Sequence, residues 1–249
     1  MSETPRVSEA RKLPTGEARA HQVREMFDRI AGRYELLNTL TSFGLNRLWN
    51  RSIVRASGLK PGGRALDLAC GTGSVTRALA NRAGLSGYVV GVDFSSEMLN
   101  AAKTRPLNNG EYRLGDATRL EGIESGAFDS VSIAYGARNI PDLDALFSEM
   151  ARAARPGGTV TCMEITRPTG RIFSAIFGLW FDKVVPWLGG KISGDPHAYA
   201  YLPESVKEFV APQDLAVIME RNELQNVTWR RLAGNVITLH RGIRDRGAG

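Results

Sequence analysis

Between residues 63 and 165, short apolar segments alternate with segments whose apolar residues recur at helical spacing. Because strand, helix and strand in succession form the repeating unit of a parallel sheet, this alternation predicts an α/β fold with a doubly wound, mostly parallel sheet. The predicted strands are 64–69, 88–93, 112–116, 128–135 and 158–165. The predicted helices between them are SVTRALANRA, SSEMLNAAKT and LDALFSEMARAA. The ligand of such a sheet binds at the carboxyl ends of its strands.

Two helices are predicted ahead of the first strand. The apolar stripe of the first helix consists of Val23, Met26, Phe27 and Ile30. The second helix spans residues 45–57, and we expect Leu48, Trp49 and Ile53 on its inner face. These helices form an N-terminal helical cap in front of the sheet.

The alternation stops after Ile165, where a segment rich in aromatic residues and glycines begins. We interpret this segment as an insertion that covers the sheet, with an amphipathic lid helix near residues 171–184. Its apolar residues at helical spacing are Ile172, Phe173, Ile176, Phe177, Trp180 and Phe181. A helix with Pro212 in its first turn and a hairpin over residues 226–242 are predicted to complete the chain.

Composition restricts the possible functions. The chain has 32 Lys and Arg against 26 Asp and Glu, a formal net charge of +6. Its arginines are spread along the chain, which favours a generally basic surface over a nucleic-acid interface. Two distant cysteines and three scattered histidines predict a reduced cytoplasmic protein without a metal site. The longest apolar stretch, 172–181, has half of the ~20 residues that a membrane helix needs.

The first predicted strand leads into a glycine turn with the sequence LDLACGTGSVT, residues 66–76. A dinucleotide site would follow the pattern G-x-G-x-x-G, but after Gly71 and Gly73 the third position is Thr76. Asp67 places a carboxylate just before the turn, where it would repel phosphates and attract an ammonium group. The loop therefore favours a ligand with an amine, a carboxylate and a ribose over a pyrophosphate.

Two further acids close the next two predicted strands. Asp93 follows Gly73 by about 20 residues, the position at which an acid accepts the ribose hydroxyls. Asp116 can accept a hydrogen bond from the amine of adenine, and Ala117 leaves room for the ring. Each acid alone could be a helix cap or a solvated loop residue. Three acids at the ends of three consecutive strands lead us to infer S-adenosylmethionine as the ligand.

Several segments carry a resemblance to a known family. LDLACGTG, VVGVDFSSEML and GDA resemble the class I S-adenosylmethionine-dependent methyltransferases. MFDRIAGRYELLNTLTSFGLNRLWNR, AYGARNIPD, YAYLPESVKEF and AGNVITLHRG are similar to the C-methyltransferases of menaquinone and ubiquinone biosynthesis, over residues 23–242. The resemblance implies a Rossmann-like, seven-stranded fold and methyl transfer to a ring carbon of a prenylated hydroquinone. By motif, it places cofactor contacts at Thr76, Asp93, Asp116 and Ala117.

The same resemblance leaves the acceptor open. Asn46 and Asn50 stand where a histidine and a lysine are expected, which bears on substrate choice. A naphthoquinol, demethylmenaquinol, is the leading interpretation. A benzoquinol precursor of ubiquinone or a small molecule of secondary metabolism are the alternatives. Asp67 and Thr76 disfavour a dinucleotide-binding oxidoreductase, and the dispersed arginines disfavour an RNA-binding module.

Arg138 and Asn139, just past the fourth predicted strand, are the candidate catalytic residues. Methyl transfer to a hydroquinone carbon requires alignment of the reacting atoms and stabilisation of phenolate character. We expect Arg138 to stabilise the oxyanion and Asn139 to orient the ring hydroxyl or a water. Arg138 is implausible as a base, so we expect water to relay the proton to a carboxylate. The alternative role for Arg138 is a structural ion pair.

With 249 residues, the chain is expected to form a single domain. We expect residues 1–16 to be disordered and residues 17–249 to form the methyltransferase domain. Its predicted parts are the helical cap 17–57, the cofactor-binding core 58–166, the lid or substrate insertion 167–210, and the C-terminal helix and hairpin 211–249. We expect the lid to offer an apolar channel for the isoprenoid tail, with peripheral contact at the inner face of the membrane. The sequence does not indicate an oligomeric state.

Overall fold

The computed structural model describes residues 16–193 and 196–246. Within these ranges, seven strands form one sheet in the order β3-β2-β1-β4-β5-β7-β6. The strands are β1 Arg64–Leu68, β2 Tyr88–Asp93, β3 Gly110–Leu114, β4 Phe128–Ala134, β5 Ala154–Ile165, β6 Leu224–Leu232 and β7 Ile237–Arg244. Strands β1 to β5 pair in parallel, and β7 runs antiparallel to both β5 and β6. The predicted mostly parallel, doubly wound sheet with a terminal hairpin is confirmed.

Helices connect these strands and extend the fold beyond the sheet. In the described residues they are α1 Gly16–Ile30, α2 Tyr34–Thr41, α3 Asn46–Ala56, α4 Ser74–Ala83, α5 Ser96–Lys103, α6 Leu143–Ala153, α7 Arg171–Leu179, α8 Val185–Ser193, α9 Pro196–Glu208 and α10 Pro212–Arg221. A π-helical turn, Trp180–Val184, joins α7 to α8, and 3₁₀ turns cover Ala31–Arg33 and Ala137–Asn139. No helix in this part of the chain is long and apolar enough to cross a membrane.

Helices cover both faces of the sheet. On one face, residues of α6 and α10 such as Phe147 and Met219 pack with the central strands. On the other face, residues of α3 and α4 such as Ile53 and Leu79 pack with the strands. A strand that is covered on both sides has few water-facing positions, and in β1 and β2 every residue after the first is buried.

The segment after β5 packs against the N-terminal helices and the end of β5. Phe181, Val185 and Val206 share one apolar cluster with Met26 and Leu37, and Ile165 of β5 packs against that cluster. Both faces of the sheet are already covered, so the apolar residues of the lid bury themselves against the apolar side of the cap. Cap and lid thus meet above the carboxyl ends of the strands.

The buried stripe predicted for the first helix is present, since Val23, Met26 and Ile30 are buried. Leu48 was predicted to face inward but is 52% exposed. Helix α3 turns Trp49, Asn50 and Ile53 inward, and successive residues of a helix are about 100° apart, so Leu48 falls on the opposite side.

Some predictions fall on residues that the structure does not describe. The disordered N-terminus was predicted over residues 1–16; residues 1–15 lie outside the described ranges, and α1 begins at Gly16. In the aromatic stripe of the lid, the side chains of 172, 173 and 176 also lie outside them. Phe177, Trp180 and Phe181 are described, and Phe181 is buried.

Candidate active site

Two adjoining cavities lie at the carboxyl ends of the central strands. The larger, of about 290 Å³, is bounded by the cap, the glycine turn and the lid. The smaller, of about 110 Å³, is bounded by the ends of β2 and β3 and the turn after β4. Both cavities are lined by Phe27, Tyr34, Ala69, Gly71, Ala134 and Tyr135. One extended ligand could therefore reach from one cavity into the other.

The glycine turn between β1 and α4 has a backbone conformation that favours glycine. Gly71 and Gly73 have φ angles of +55° and +79°. A Cβ on Gly73 would lie 2.3 Å from the hydroxyl oxygen of Tyr112. The amide of Gly71 donates to Oδ2 of Asp93 at 2.7 Å, which ties the turn to the end of β2.

Asp67 lies at the floor of the larger cavity, on β1. Its carboxylate accepts hydrogen bonds from Oγ1 of Thr76 at 2.7 Å and Oγ of Ser132 at 3.0 Å. Burial raises the pKa of Asp67 to about 7 despite these two hydrogen bonds. Thr76 is on α4 behind Asp67 rather than on a cavity wall, and its hydroxyl orients the carboxylate. A cation that binds beside Asp67 would favour the ionised form.

The smaller cavity contains the other two predicted acids. Burial raises the pKa of Asp93 to about 6, although the amides of Ser95 and Gly71 donate to its carboxylate. Asp116 is exposed at the rim, and one of its oxygens accepts from the amide and hydroxyl of Thr118. Ala117 lines the same cavity. The structure thus gathers Asp93, Asp116 and Ala117 around one space, with Asp67 in the adjoining one.

Arg138 forms a buried ion pair with Glu164 at the end of β5. Its Nη1 lies 2.7 Å from Oε2 of Glu164, and its amide donates to Oε1 of the same carboxylate at 3.1 Å. Burial lowers the pKa of Arg138, but the charge and hydrogen bond of Glu164, together with Tyr34 and Tyr201, raise it by more, and the net shift is upward. Arg138 also lines the larger cavity, and its buried Nε has no hydrogen-bond partner among the described residues. The ion pair holds a charged guanidinium at the cavity wall.

Two tyrosines complete the space around Arg138. The hydroxyl of Tyr201, on α9, donates to Oδ1 of Asn139 at 3.1 Å, which links the lid to the turn after β4. Tyr34, at the start of α2, lines both cavities. Burial raises the pKa of the Tyr34 hydroxyl, which therefore stays protonated and can donate a hydrogen bond.

Sequence comparison identifies the family. A profile of the ubiE/COQ5 methyltransferase family matches residues 15–244. The chain belongs to this family. The demethylmenaquinone methyltransferase of Desulfitobacterium hafniense is 36% identical over 237 residues, 93% of this chain and 93% of the relative. The enzyme of the same name from Staphylococcus aureus is 34% identical over 236 residues, 94% of this chain and 98% of the relative.

Solved structures support the same fold at lower sequence identity. A SAM-dependent methyltransferase from Thermotoga maritima superposes with a TM-score of 0.64 and 16% identity, over 90% of this chain and all of that one. A methyltransferase of the same cofactor class from Aquifex aeolicus gives a TM-score of 0.61 and 16% identity, over 84% of this chain and 97% of that one. The Rossmann-like methyltransferase fold predicted for this ubiE/COQ5 family member is confirmed.

Two residues of the site in this ubiE/COQ5 family member were not predicted from the sequence. Glu164 closes β5 as the predicted acids close β1 and β2, so the rule applied to those strands could have found it. Tyr34 gave no signal of its own, because it lies within the sequence of the cap. Asn50 was noted as a departure that bears on substrate choice. Its Nδ2 donates to Ser74 at 2.8 Å, and its Oδ1 is buried at the larger cavity without a partner in the described structure.

The cap is held to the glycine turn by one carboxylate. Glu35 of α2 accepts from the hydroxyl of Thr72 at 3.0 Å and from Arg77 at 2.9 Å. Its second oxygen accepts from Arg105, after α5, at 2.6 Å. These contacts place Tyr34, the neighbour of Glu35, over the junction of the two cavities.

The residues of both cavities fit the cofactor of a class I methyltransferase. Asp67 can pair with an ammonium group, and the unpartnered Oδ1 of Asn50 is a further acceptor that lines the same cavity. Asp93 and Asp116 offer carboxylate oxygens in a space that suits a nucleoside. Within the described residues, no group of three or more His, Cys, Asp or Glu side chains could hold a metal ion.

Proposed function

We propose that this chain is an S-adenosylmethionine-dependent C-methyltransferase that methylates the ring of demethylmenaquinol. The observation that carries the proposal is the pair of adjoining cavities, in which Asp93 and Asp116 line one space and Arg138 lines the other. The names of the relatives at 34% and 36% identity support the choice of acceptor.

Asp93, Asp116 and Ala117 would hold the adenosine half of the cofactor in the smaller cavity. Gly71 and Gly73 would shape the turn beside the methionine end, and Asp67 would attract its ammonium group. Thr76 acts by orienting Asp67 through its hydrogen bond. When bound, S-adenosylmethionine would supply a methyl group on a positively charged sulfur, and a neutral thioether would be the leaving group.

The acceptor ring is proposed to lie in the larger cavity next to Arg138. Loss of a proton from a ring hydroxyl makes the neighbouring carbon nucleophilic, and a fixed positive charge stabilises the oxyanion that forms. Glu164 keeps Arg138 charged and fixes its position. Tyr201 also lines the larger cavity, and it donates to Asn139, which lines the smaller one. Because Arg138 stays protonated, water passes the hydroxyl proton to a carboxylate. After the methyl group has bonded to the ring carbon, the hydrogen of that carbon leaves as a proton and the oxygen is protonated again, which restores the aromatic hydroquinone.

The isoprenoid tail is proposed to lie along Phe177, Trp180 and Phe181, which line the larger cavity between cap and lid. Residues 17–57, 58–166, 167–210 and 211–249 would then serve as cap, cofactor-binding core, lid and C-terminal unit. A substrate with such a tail resides in a bilayer, so we also propose a cytoplasmic enzyme in peripheral contact with the inner face of the membrane.

Two measurements test this function. Titration with S-adenosylmethionine and, separately, with NAD should show saturable binding of the first alone. Turnover should then be compared on demethylmenaquinol and on a benzoquinol precursor of ubiquinone with the same tail. A higher kcat/KM for the naphthoquinol supports the proposal. A preference for the benzoquinol would transfer the function to ubiquinone biosynthesis, and binding of NAD alone would exclude methyl transfer.

A further inference from the structure

Exposed apolar side chains are concentrated on the cap and the lid, which both bound the larger cavity. Of the twelve large apolar side chains that are exposed in the described structure, seven lie on α2, on α3, between them, or on the lid. They are Leu36, Leu40, Phe43, Leu45, Leu48, Leu179 and Trp187, and we call them the mouth surface. A concentration of this kind marks an interaction site more often than scattered exposure does.

Contacts between cap and lid bring the two parts of the mouth surface together. Phe43, which is 71% exposed, stacks on Trp180 with ring centroids 4.7 Å apart. The indole nitrogen of Trp180 donates to the carbonyl of Thr41, and α2 packs against α8. Thr41 and Trp180 both line the larger cavity. The mouth surface therefore borders the opening through which an acceptor would enter.

The charge around the mouth surface is positive. From residue 36 to residue 66 the sequence has no Asp or Glu but five Lys and Arg. Arg47, Arg51 and Arg55 follow one another at intervals of four along α3 and are exposed, so they form a basic line on one side of that helix. On the lid, Lys191 lies over the ring of Trp187 at 4.6 Å.

The acid that lies between Leu179 and Trp187 in the sequence does not offset this charge. Asp182 is the one acidic residue between positions 166 and 191, and it already pairs with Arg167 at 3.0 Å and Lys207 at 3.7 Å. The basic side chains beside the mouth surface are therefore available to an anionic partner.

We propose that the mouth surface docks on an anionic lipid bilayer, with its apolar side chains in the headgroup region and the arginines of α3 on lipid phosphates. Exposed Leu, Phe and Trp beside Lys and Arg are the combination that binds bilayer surfaces without spanning them. Nucleic acid would leave the apolar side chains without a partner. The purpose of docking, entry of a tailed acceptor from the membrane, rests on the proposed function; the binding itself does not.

Co-sedimentation of the full chain with lipid vesicles tests the docking. Phosphatidylcholine vesicles are compared with vesicles that also contain phosphatidylglycerol. The apolar variant is Leu40→Gln/Phe43→Asn, because Phe43 has a φ of +52°, a conformation that asparagine tolerates. The charge variant is Arg51→Gln/Arg55→Gln, neither of which lines a cavity. The matched control is Leu85→Gln/Val217→Gln, two exposed apolar residues elsewhere.

Wild-type protein and the control should bind the anionic vesicles. Each arginine near the surface contributes about fivefold in affinity, so the charge variant should lose roughly 25-fold on anionic vesicles. The apolar variant should lose binding to both kinds of vesicle. Equal binding by the apolar variant and the control, or no binding of the wild type to anionic vesicles, would overturn the proposal.

Two further measurements distinguish bilayer docking from dimerisation and from a failure of the proposed function. A concentration-dependent dimer, measured by light scattering without lipid and abolished in the apolar variant, would assign the mouth surface to a second copy of the chain and overturn bilayer docking. Methyl transfer to a short-tailed acceptor without lipid should be unchanged in both variants. If that transfer is absent from the wild type while vesicle binding persists, the proposed function fails and the docking stands.

Discussion

Arg138 keeps its positive charge inside the protein because Glu164 is fixed beside it. Either member alone would be a buried, uncompensated charge, and breaking such a pair by removing one partner costs about 3–5 kcal/mol. The activity of a variant with a single substitution would therefore combine an effect on folding with an effect on the chemical step. The pair fits both roles considered from the sequence, since the ion pair places Arg138 on the wall of the larger cavity.

We expect the double variant Arg138→Gln/Glu164→Gln to fold, because both charges are removed together. Loss of a fixed donor to an oxyanion should lower kcat by about 100-fold to 1,000-fold. The dissociation constant of S-adenosylmethionine should change by less than about threefold. Isothermal titration and single-turnover kinetics measure the two quantities.

The control for this experiment is Arg155→Gln/Asp129→Asn, which removes an ion pair of similar length, 2.7 Å, outside both cavities. It should keep wild-type turnover. If the variant at Arg138 and Glu164 also kept wild-type turnover, the pair would be structural and would have no part in the chemistry.

Asp67 makes the stability of the ligand-free protein depend on pH. Its pKa of about 7 lies above the ordinary value of 3.8 that holds in the unfolded chain. Between these values the folded state binds more protons than the unfolded state. The free energy of unfolding therefore falls as pH rises from about 4 to 7, with a maximum slope of about 1.4 kcal/mol per pH unit.

Asp67→Asn should flatten this dependence, which urea unfolding at several pH values measures. Asp93, with a pKa of about 6, should retain part of the slope. Asp129→Asn is the control, because hydrogen bonds from Arg64 and Arg155 hold the pKa of Asp129 below its usual value, although burial opposes them. The contribution of Asp129 to the free energy of unfolding is lost only at acidic pH. If the free energy of unfolding of Asp67→Asn depended on pH as in the wild type, Asp67 would not be the group that binds a proton in the folded state.

The sequence shows where each strand ends, so the positions of the acidic side chains near the strand ends could be predicted. The positions of Asp67, Asp93 and Asp116 followed from that rule. The partners of a side chain could not be predicted in the same way. Asp67 meets Ser132 only because β1 and β4 are neighbours in the sheet, and nothing in a single sequence specifies that pairing. The assignment of these residues to the cofactor stays a prediction.

At the scale of elements, the turn from β1 into α4 positions the site. Gly73 is the N-cap of α4, and its positive φ directs the chain from the strand into the helix. The space beside it is filled by Tyr112 of β3, so the turn is closed by a neighbouring strand as well as by its own backbone.

Gly73→Ala, made with and without Tyr112→Leu, separates backbone strain from crowding. Gly73 has a φ of +79° and a ψ of +20°, so an alanine there should cost the strain of the left-handed conformation, about 1–2 kcal/mol. Tyr112 must also move, which should cost about 1–3 kcal/mol more. Urea unfolding measures both. In the Tyr112→Leu background, Gly73→Ala should cost only the strain, and equal costs in the two backgrounds would contradict the role of Tyr112.

Helices and strands whose apolar residues recur at a regular spacing were predicted well, and elements without such a spacing were not. Helix α4 and strand β2 have the predicted bounds, since capping glycines or a run of apolar residues delimit each. Leu48 was placed on the wrong side of α3 because Asn50, a polar residue, occupies the inner face. Asn50 faces inward because its side chain donates a hydrogen bond to Ser74 on α4. The spacing of apolar residues along the sequence cannot reveal such a contact.

At the scale of the whole molecule, cap, core and lid meet at one place. Glu35 binds the cap to the glycine turn, and Tyr201 binds the lid to Asn139. The family and the fold class were predicted from motifs and are confirmed. The position of the lid was not predictable. The sequence of an amphipathic helix shows that one of its faces is buried, but not which element that face packs against.

We propose that cap, core and lid together transfer a methyl group to a ring carbon of demethylmenaquinol. Incubation of the full chain with methyl-labelled S-adenosylmethionine and demethylmenaquinol, followed by mass spectrometry and NMR of the quinone product, measures this transfer. We expect one labelled methyl group per ring, bonded to carbon. Label on a hydroxyl oxygen, or no transfer by protein that binds the cofactor, would contradict it.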